Sequence, residues 1–533
     1  MTLDSPAPLL VRNARIYVRG SGSSPTGAIL LAGGRVAATG QAAERQANAF
    51  ETFETLDLEG LTLLPGLCDA HIHLEMFARS LAMIDCETTK EECLRRVQER
   101  ARRLTPGSWI LGHGWNQNDW SRPGTAADLD QAAPGHPVYL TAKSLHAGWA
   151  NSLALSLAGV GPSTADPPGG AFVRDASGAP TGILLEAAMA VVTDRIPPPS
   201  LETVVDEIHS AQRSLWRMGI TAVHDFDGPR CFEALQVLHS QERLGLHVLK
   251  SIPLDQLDHA AAVGLRGGFG DDWLRIGHLK IFADGALGPR TAAMLQPYAD
   301  DEGNTGIALI DREALLEIGM KAARLGLPLA VHAIGDRANH EVLEGFAALR
   351  DFERAEGLPA LQHRVEHLQL LHVDDVGRPA DLGVIASMQP IHATSDMPMA
   401  TRAWGERNQY AYAWRSQLDH GASLVFGSDA PVESPNPFLG LHAAVTRRRV
   451  DGSPDEHGWI PEQRLSLEEA LDAFTIAPAR AAGLPWVGNL LPGCYADLIV
   501  LEVDPFTLAP GDLAELSPLA TMVAGKWVFR EAF

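Results

Sequence analysis

Eight short apolar stretches, separated for the most part by longer helical patterns, constrain the fold of this chain more than any other feature. They are rich in Val, Ile, Leu and Ala and are bounded by Gly, Pro and Asp, which is typical of strands buried on both faces. These stretches cover residues 64–74, 219–226, 246–252, 275–285, 327–333, 362–368, 383–390 and 422–430. Alternation of strand and helix predicts a parallel α/β fold, and eight strands favour a (β/α)8 TIM barrel.

Helical periodicity between the strands supports this interpretation. An amphipathic stripe over residues 201–218 leads directly into the second strand. Further helices are predicted at 312–325 and 338–350. Another begins at Ser466, where Ser466 and Glu469 have the spacing of a capping box.

The two ends of the chain resemble each other and differ from the middle. Both hold short alternating strands broken by glycines. These strands are predicted at 9–18, 28–40, 55–66, 493–505 and 520–530. We expect residues 1–64 and 486–533 to form one small β-sandwich domain, with the barrel over 65–485 between them.

One connection is far longer than a barrel needs. The first strand ends near residue 74 and the second begins near 219, which is much more than one helix and two loops require. Residues from about 80 to 200, rich in Trp, Pro and Gly, are therefore predicted to be an insertion between strands 1 and 2. Long ordered insertions at a barrel mouth commonly close over substrate.

Polar side chains recur at or near the carboxyl ends of the apolar strands. His71 and His73 are two residues apart, so in a strand both imidazoles point to the same side and can face one metal ion. That pair alone is weak evidence, but other strands end in the same way. The further residues are Lys280, His332, His367 and Asp429. In a barrel these strand ends converge on the functional face, which predicts one common site.

Imidazole and carboxylate groups suit zinc and related divalent ions. An ammonium ion does not, yet Lys280 lies within a strand that should be buried, where a charge costs several kcal/mol. A neutral lysine amine can react with carbon dioxide to give a carbamate, whose two oxygens can bridge two metal ions. We favour this carboxylated lysine; the alternative is an ion pair of Lys280 with Asp284 or Asp429.

Composition excludes several other classes of function. The chain has 43 Lys and Arg against 66 Asp and Glu, a net charge of −23, which argues against nucleic acid and against an anionic membrane surface as partners. No secretory signal and no apolar run of about 18 residues is found. The five cysteines are scattered without a CxxC pair, which favours reduced thiols in a cytoplasmic protein. The expected partner is a small-molecule substrate, and a homodimer is compatible with the sequence.

With these residues in view, the sequence resembles the metal-dependent amidohydrolase superfamily. The phrases PGLCDAHIHL, KIFADGALGPRTAAM, VHAIGDRANHEVL, HRVEHLQLL, SMQPIHATSD and FGSDAPV are similar to the branch that includes the N-substituted formamide deformylases. The likeness covers nearly the whole chain. It implies a (β/α)8 barrel with a flanking β-sandwich built from both chain ends.

The resemblance also implies a ligand set and a reaction. The family pattern is HxH on strand 1, a carboxylated lysine on strand 4, histidines on strands 5 and 6 and an aspartate on strand 8. It maps in order onto His71, His73, Lys280, His332, His367 and Asp429. We expect two divalent ions, zinc first and Mn, Fe or Co as alternatives. A metal-bound hydroxide would then hydrolyse a carbon–nitrogen bond of a non-peptide amide, an N-formyl or N-acyl compound or a cyclic amide, with Asp429 transferring the proton.

Other polar residues are weaker candidates for contact with substrate. They are His113, Trp115, His146, Glu186, Arg290 and His392. Relatives often carry Asp-Gly-His before the Asn-Ser pair of the insertion, whereas this chain has Ser144-Leu145-His146. Arg364 and Glu366 alternate away from the side of His367 and are expected to be outer partners of the site or pairs with helices.

Two other functions remain as alternatives. A mononuclear deaminase acting on a nucleobase-like ring usually carries His-x-x-Glu on strand 5, but here Gly335 stands three residues after His332. A barrel that has lost its metals and serves as an assembly partner should lack ligands, and the six positions are all filled. Two metal ions per chain, one or none would separate the three hypotheses.

Overall fold

Strands and helices alternate along the middle of the chain as the sequence predicts. The computed structural model describes residues 7–20, 22–23, 27–115, 120, 122–142 and 147–531. The strands are β1 (Leu9–Val18), β2 (Gly22–Ser23), β3 (Gly27–Ala32), β4 (Arg35–Thr39), β5 (Glu54–Asp57), β6 (Thr62–Pro65), β7 (Leu67–Ile72), β8 (Ile84–Asp85), β9 (Ile110–Trp115), β10 (Val138–Ala142), β11 (Ala147–Ala150), β12 (Gly170–Arg174), β13 (Pro180–Glu186), β14 (Ile220–Asp225), β15 (His247–Pro253), β16 (Leu274–Phe282), β17 (Leu329–Ala333), β18 (Arg364–His367), β19 (Ile385–Met388), β20 (Leu424–Phe426), β21 (Leu498–Leu501), β22 (Ala520–Val523) and β23 (Lys526–Arg530).

The helices are α1 (Gln41–Ala47), α2 (Leu74–Ala82), α3 (Lys90–Ala101), α4 (Ala126–Ala132), α5 (Ser152–Leu157), α6 (Ala188–Thr193), α7 (Leu201–Arg217), α8 (Pro229–Ser240), α9 (Leu257–Ala262), α10 (Arg312–Arg324), α11 (Asp336–Ala355), α12 (Arg378–Asp381), α13 (Pro390–Trp404), α14 (Trp414–Asp419), α15 (Pro437–Thr446), α16 (Leu467–Phe474) and α17 (Ile476–Ala481). None of the helices within the described ranges is long and apolar enough to cross a membrane.

Eight parallel strands form a nearly closed barrel. Their order in the sheet is β7, β14, β15, β16, β17, β18, β19 and β20. The two edge strands meet just beyond their carboxyl ends, where His73 N donates to Ala430 O over 3.0 Å and Ile72 forms a parallel bridge with Ala430. Each of the eight predicted apolar stretches overlaps one of these strands, so the prediction of an eight-stranded parallel α/β barrel is confirmed.

Local signals explain where several helices begin and which side they bury. At the start of α16, Ser466 Oγ accepts from Glu469 N at 3.3 Å and Ser466 N donates to Glu469 Oε2 at 2.8 Å, which confirms the predicted capping box. In α7 the apolar stripe is buried as its spacing predicts. Its buried members are Val204, Val205, Ile208, Ala211 and Leu215.

Strands from both chain ends form one nine-stranded sheet. Its main order is β23, β22, β21, β6, β1, β3 and β4, and β2 and β5 pair with β1. The antiparallel pairing of β21 with β6 joins the carboxyl-terminal strands to the amino-terminal ones. Gly33 and Gly34, with φ of 59° and 77°, form the turn between β3 and β4, a backbone conformation that glycine tolerates best. The division into a β-sandwich over 1–64 and 486–533 stays a prediction.

The chain separates into two compact units, Met1–Phe77 with Ile208–Phe533 and Ala78–Glu207. The second unit covers most of the predicted insertion. It contains a six-stranded sheet in the order β12, β13, β11, β10, β9 and β8. Trp115, Trp120 and Trp149 contact one another within its own core.

Candidate metal centre

The first strand of the barrel supplies two histidines that meet one carboxylate. His71 is fully buried, and the His73 side chain is 21% exposed. The Nε2 atoms of His71 and His73 both lie 3.4 Å from Asp429 Oδ1. These three residues can offer ligand atoms that lie within 4.8 Å of one another. The predicted grouping of His71, His73 and Asp429 is therefore present as a compact set of donors.

A second set of donors shares Asp429 with the first. Candidate ligand atoms of His367, His392 and Asp429 also lie within 4.8 Å of one another. His392 Nε2 is 3.8 Å from Asp429 Oδ2, and the His392 ring stacks on the His367 ring with centroids 6.0 Å apart. The His332 ring meets the His367 ring edge-on, at a centroid distance of 4.5 Å. His392, which the sequence predicts to contact substrate, thus lies close enough to Asp429 and His367 to serve as a metal ligand.

Lys280 projects into the same region of the barrel. Its Nζ atom lies 4.7 Å from the Phe226 ring centre and 4.9 Å from the Phe282 ring centre. Burial lowers the pKa of the Lys280 ammonium from 10.5 to about 8, although the charges of Glu366 and Asp429 act in the opposite direction. The amine is therefore closer to neutrality than an exposed lysine, as carbamate formation requires.

Asp284, one of the two alternative ion-pair partners of Lys280, is engaged elsewhere. Its carboxylate accepts hydrogen bonds from the backbone N–H groups of Ala293, Ile334 and Gly335 at 2.8–3.0 Å. Asp284 thus fixes the loops that follow β16 and β17. This arrangement disfavours the interpretation of Lys280 as the ion-pair partner of Asp284.

Each of three histidines is oriented by an acceptor at its Nδ1 atom. His71 Nδ1 lies 2.6 Å from Glu366 Oε2, and His73 Nδ1 lies 3.1 Å from Asp227 Oδ1. His367 Nδ1 lies 2.9 Å from the amide oxygen of Gln389. When Nδ1 donates its proton to such an acceptor, the Nε2 lone pair is left for a metal ion.

His332 is oriented in the opposite sense. Its Nε2 atom lies 2.9 Å from the carbonyl oxygen of Gly285, just beyond β16. Donation to that carbonyl leaves Nδ1 as the basic nitrogen of the ring. His332 would therefore contribute Nδ1, whereas the other three predicted imidazole ligands would contribute Nε2.

The charges of the site favour a cation beside Asp429. Burial lowers the pKa of His71 to about 4, so this imidazole is neutral and can bind a metal ion. Burial alone would raise the pKa of Asp429, but its contacts with the surrounding histidines, which include a hydrogen bond with His73, hold it well below its usual range. For His73, burial is outweighed by the carboxylates of Asp227 and Asp429, and its pKa rises to about 9.

Backbone strain accompanies two of the candidate ligands. His367 has a φ of 73° and Asp429 a φ of 61°, and Leu368 follows with 45°. Such angles are uncommon for residues other than glycine and persist only where the surrounding structure imposes them. They turn the chain at the ends of β18 and β20, where the side chains reach the centre of the barrel.

Comparison with known proteins decides the family. The model described as the amidohydrolase family matches residues 54–529. The chain belongs to the amidohydrolase family. As an amidohydrolase it is an enzyme that hydrolyses carbon–nitrogen bonds other than peptide bonds.

Relatives of this amidohydrolase match it over nearly their whole length. Protein LONG AFTER FAR-RED 3 of Arabidopsis thaliana is 32% identical over 98% of this chain and 92% of its own. The N-substituted formamide deformylase of Arthrobacter pascens is 31% identical over 97% of both chains. The crystal structure of an uncharacterised metal-dependent hydrolase from Pyrococcus furiosus has a TM-score of 0.79 and 29% identity, covering 94% of this chain and 100% of that chain.

The remaining substrate candidates have varied surroundings. In the second unit, His113 is exposed on β9 and Glu186 is exposed at the end of β13. Arg290 forms a two-point ion pair with Asp300, at 2.5 and 3.1 Å. His146 lies outside the described residues. Contact of these four with substrate stays a prediction.

The placement of Trp115 favours a different role from the one predicted. The side chain is buried in the core of the second unit, and its indole N–H donates to Leu140 O at 2.8 Å. A ring enclosed in this way offers no face to a ligand. Trp115 is better explained as part of the hydrophobic core.

Of the two roles predicted for Arg364 and Glu366, the structure places them in the first, as outer partners of the site. Both are fully buried, and Glu366 contacts His71 directly. The usual alternation of side chains along a strand fails here because His367 has a φ of 73°, which is not a strand conformation. Both Glu366 and His367 therefore reach the barrel interior. The interpretation as pairs with helices is therefore wrong.

Asp227 and Gln389 also orient histidines, and the sequence interpretation did not select them. Both follow barrel strands, Asp227 just after β14 and Gln389 just after β19. The same rule that selected the other strand-end residues could have found them.

Proposed function

We propose that this amidohydrolase uses two divalent metal ions to hydrolyse a non-peptide amide, an N-formyl or N-acyl compound or a cyclic amide. The observation that carries the proposal is the convergence of His71 Nε2 and His73 Nε2 on Asp429 Oδ1, each at 3.4 Å. Similarity to the N-substituted formamide deformylase supports a substrate of this class.

The donor atoms fit divalent metal ions. The Nε2 atom of His71 is buried and makes no hydrogen bond within the described part of the chain. Buried polar atoms in this state are costly, and a metal ion would satisfy them. Imidazole nitrogens together with an ionised carboxylate are the ligands that zinc prefers, and Mn, Fe or Co are alternatives.

In the proposed arrangement, His71 and His73 would hold one ion with Asp429, and His332 and His367 would hold the other. Lys280, as a carbamate, would supply anionic oxygens as ligands to both. Its neutral amine attacks the carbon of carbon dioxide. A nitrogen–carbon bond forms as one C=O π bond breaks, and the nitrogen releases a proton to water, so the side chain becomes an anionic carbamate. The lowered pKa of Lys280 supports this step because the amine is more readily deprotonated.

Metal ions in such a site lower the pKa of water and polarise a carbonyl oxygen. The protein supplies the proton transfer. Asp429 Oδ1 and Oδ2 face different imidazoles, those of His71 and His73 on one side and of His392 on the other. From this position Asp429 takes a proton from the attacking water and passes it to the leaving amine nitrogen.

The experiment is a substrate screen on the reconstituted enzyme. Enzyme loaded with zinc or manganese in bicarbonate buffer is offered N-formyl, N-acyl and cyclic amides, and release of amine or ring opening is measured. Hydrolysis that disappears on metal removal and in Asp429→Asn is expected. The exposed carboxylate of Asp271, paired with His239 at 2.8 Å, provides a control, since Asp271→Asn should retain activity. Hydrolysis that persists in metal-free enzyme would overturn the proposal.

A further inference from the structure

Glu366 is buried in the barrel interior against the first candidate ligand. Its side chain and that of His71 are both inaccessible to solvent. Glu366 Oε2 lies 2.6 Å from His71 Nδ1, on the opposite side of the imidazole from Asp429. A charge-assisted hydrogen bond of this length fixes both the rotation of the ring and the nitrogen that carries the proton.

Arg364 holds Glu366 in place. Its guanidinium pairs with the Glu366 carboxylate, donates to Ala70 O at 2.7 Å and lies 2.9 Å from His224 Nδ1. A further bond goes to Ser387 Oγ. These partners belong to three other barrel strands, β7, β14 and β19, so Arg364 reaches across the barrel interior. The carboxylate cannot turn away from His71 without breaking this network.

Arg364, Glu366 and His71 form one Arg–Glu–His group, and the chain contains a second group of this kind with which it can be compared. Glu353 Oε1 lies 3.0 Å from His363 Nε2, and Arg350 donates to Glu353 Oε2 at 2.7 Å. The other nitrogen of His363 accepts from Leu329 N at 2.9 Å, so both ring nitrogens are used within the protein. In His71 the second nitrogen makes no hydrogen bond within the described ranges and lies 3.4 Å from Asp429.

We propose that Glu366, fixed by Arg364, is a positioning residue that directs the His71 Nε2 lone pair to the metal position. The role rests on the proposed metal centre, because it acts on a ligand of that centre. Carboxylates that accept a hydrogen bond from a metal-bound histidine orient it and raise its basicity. Loss of such a partner typically weakens metal binding by about 10–100-fold.

The test compares Glu366→Gln with Glu353→Gln in the full-length chain. Both substitutions remove a buried carboxylate from an Arg–Glu–His group, but only His71 is a proposed ligand. Zinc affinity is measured by competition with a chelator, and the visible spectrum of the cobalt-loaded protein reports ligand geometry. Glu366→Gln should weaken zinc binding about 10–100-fold and alter the cobalt spectrum, whereas Glu353→Gln should change neither.

Glu366→Asp provides a second variant should Glu366→Gln fail to fold, as judged by circular dichroism. It keeps the charge but shortens the reach to His71, so we expect a smaller loss of zinc affinity than for Gln. Wild-type affinity and spectrum in the folded Glu366 variants, or equal losses in Glu353→Gln, would overturn the positioning role alone. A wild-type protein that binds no metal would overturn the proposed function, and the positioning role with it.

Discussion

The backbone N–H of Asp429 donates to the carbonyl oxygen of His71 over 2.7 Å. This bond joins the end of the last barrel strand to the first, and the side chains of the same two residues approach within 3.4 Å. Closure of the barrel and assembly of the metal centre therefore depend on the same contact. Backbone pairing thus brings candidate ligands from distant parts of the sequence together.

Replacement of Asp429 by Asn should abolish most of the activity. The amide retains the size of the side chain but cannot accept a proton, and loss of general acid–base catalysis typically costs about 10²–10⁴-fold in rate. The measurement is kcat/KM on the substrate found in the screen, with Asp271→Asn as the control. Activity within a few-fold of wild type in Asp429→Asn would exclude the proton-transfer role.

Replacement of Lys280 by Ala or Met should remove the bridge between the metal ions. Neither side chain has an amine to react with carbon dioxide, and Met approximately retains the buried volume. We expect both variants to fold but to lose two-metal occupancy. Wild-type protein prepared without carbon dioxide should recover activity when bicarbonate is added. Elemental analysis and native mass measurement test this; retention of both metals in Lys280→Ala would contradict the bridging role.

Phe282 should select substrates that carry an apolar substituent. It ends β16 beside His332, its side chain is 51% exposed, and its ring centre lies 4.9 Å from Lys280 Nζ. The variant Phe282→Ala removes this apolar contact and should raise KM for aromatic amides about 10-fold. That change corresponds to a loss of about 1.4 kcal/mol in binding free energy. Substrates without an apolar group should be little affected.

Phe269 offers the matched control for this prediction. It is 68% exposed but precedes β16, near the amino end of the strand rather than the carboxyl end. Phe269→Ala should therefore leave KM unchanged for both kinds of substrate. An equal effect of Phe282→Ala on aromatic and small amides would show that the ring does not contact the substituent.

His247 and Asp497 should make stability depend on pH. Their side chains are buried, and His247 Nε2 lies 3.0 Å from Asp497 Oδ2. Burial opposes the charged imidazole, but the Asp497 carboxylate outweighs it and raises the pKa of His247. A raised pKa gives stabilisation that is fully present below the unfolded value of about 6.5 and is lost as the pH rises through the folded value.

The variants His247→Gln and Asp497→Asn test this linkage. Breaking a buried pair typically costs about 3–5 kcal/mol, so each should lower the Tm most at pH 6 and progressively less at higher pH. Thermal unfolding of the metal-free protein measures the difference from wild type across this range. A difference that is constant or grows with pH would contradict the linkage.

The barrel and the main donors could be predicted because both follow from local patterns. Buried parallel strands read as continuous apolar runs, and their carboxyl ends meet at one face. His71, His73 and Asp429 were found in this way. The capping box at Ser466 is equally local, since its two bonds join residues three apart.

The contact of Glu366 with His71 and the approach of His392 to Asp429 could not be predicted from such patterns. Glu366 reaches His71 across the barrel, and the φ of 73° at His367 breaks the alternation that placed Glu366 on the other side. His392 lies in the first turn of α13, beyond its strand, and only the helix direction brings it near Asp429. These are relations between distant residues, which strand periodicity does not encode.

The metal content of the reconstituted enzyme tests the central claim most directly. Protein purified, stripped of metal and reloaded with zinc in bicarbonate buffer is freed of unbound ions and analysed for metal per chain. Two zinc ions per chain, with activity rising in proportion to occupancy, is the result that the proposed centre predicts. One ion would contradict the bridge at Lys280, and full activity with none would contradict the metal centre itself.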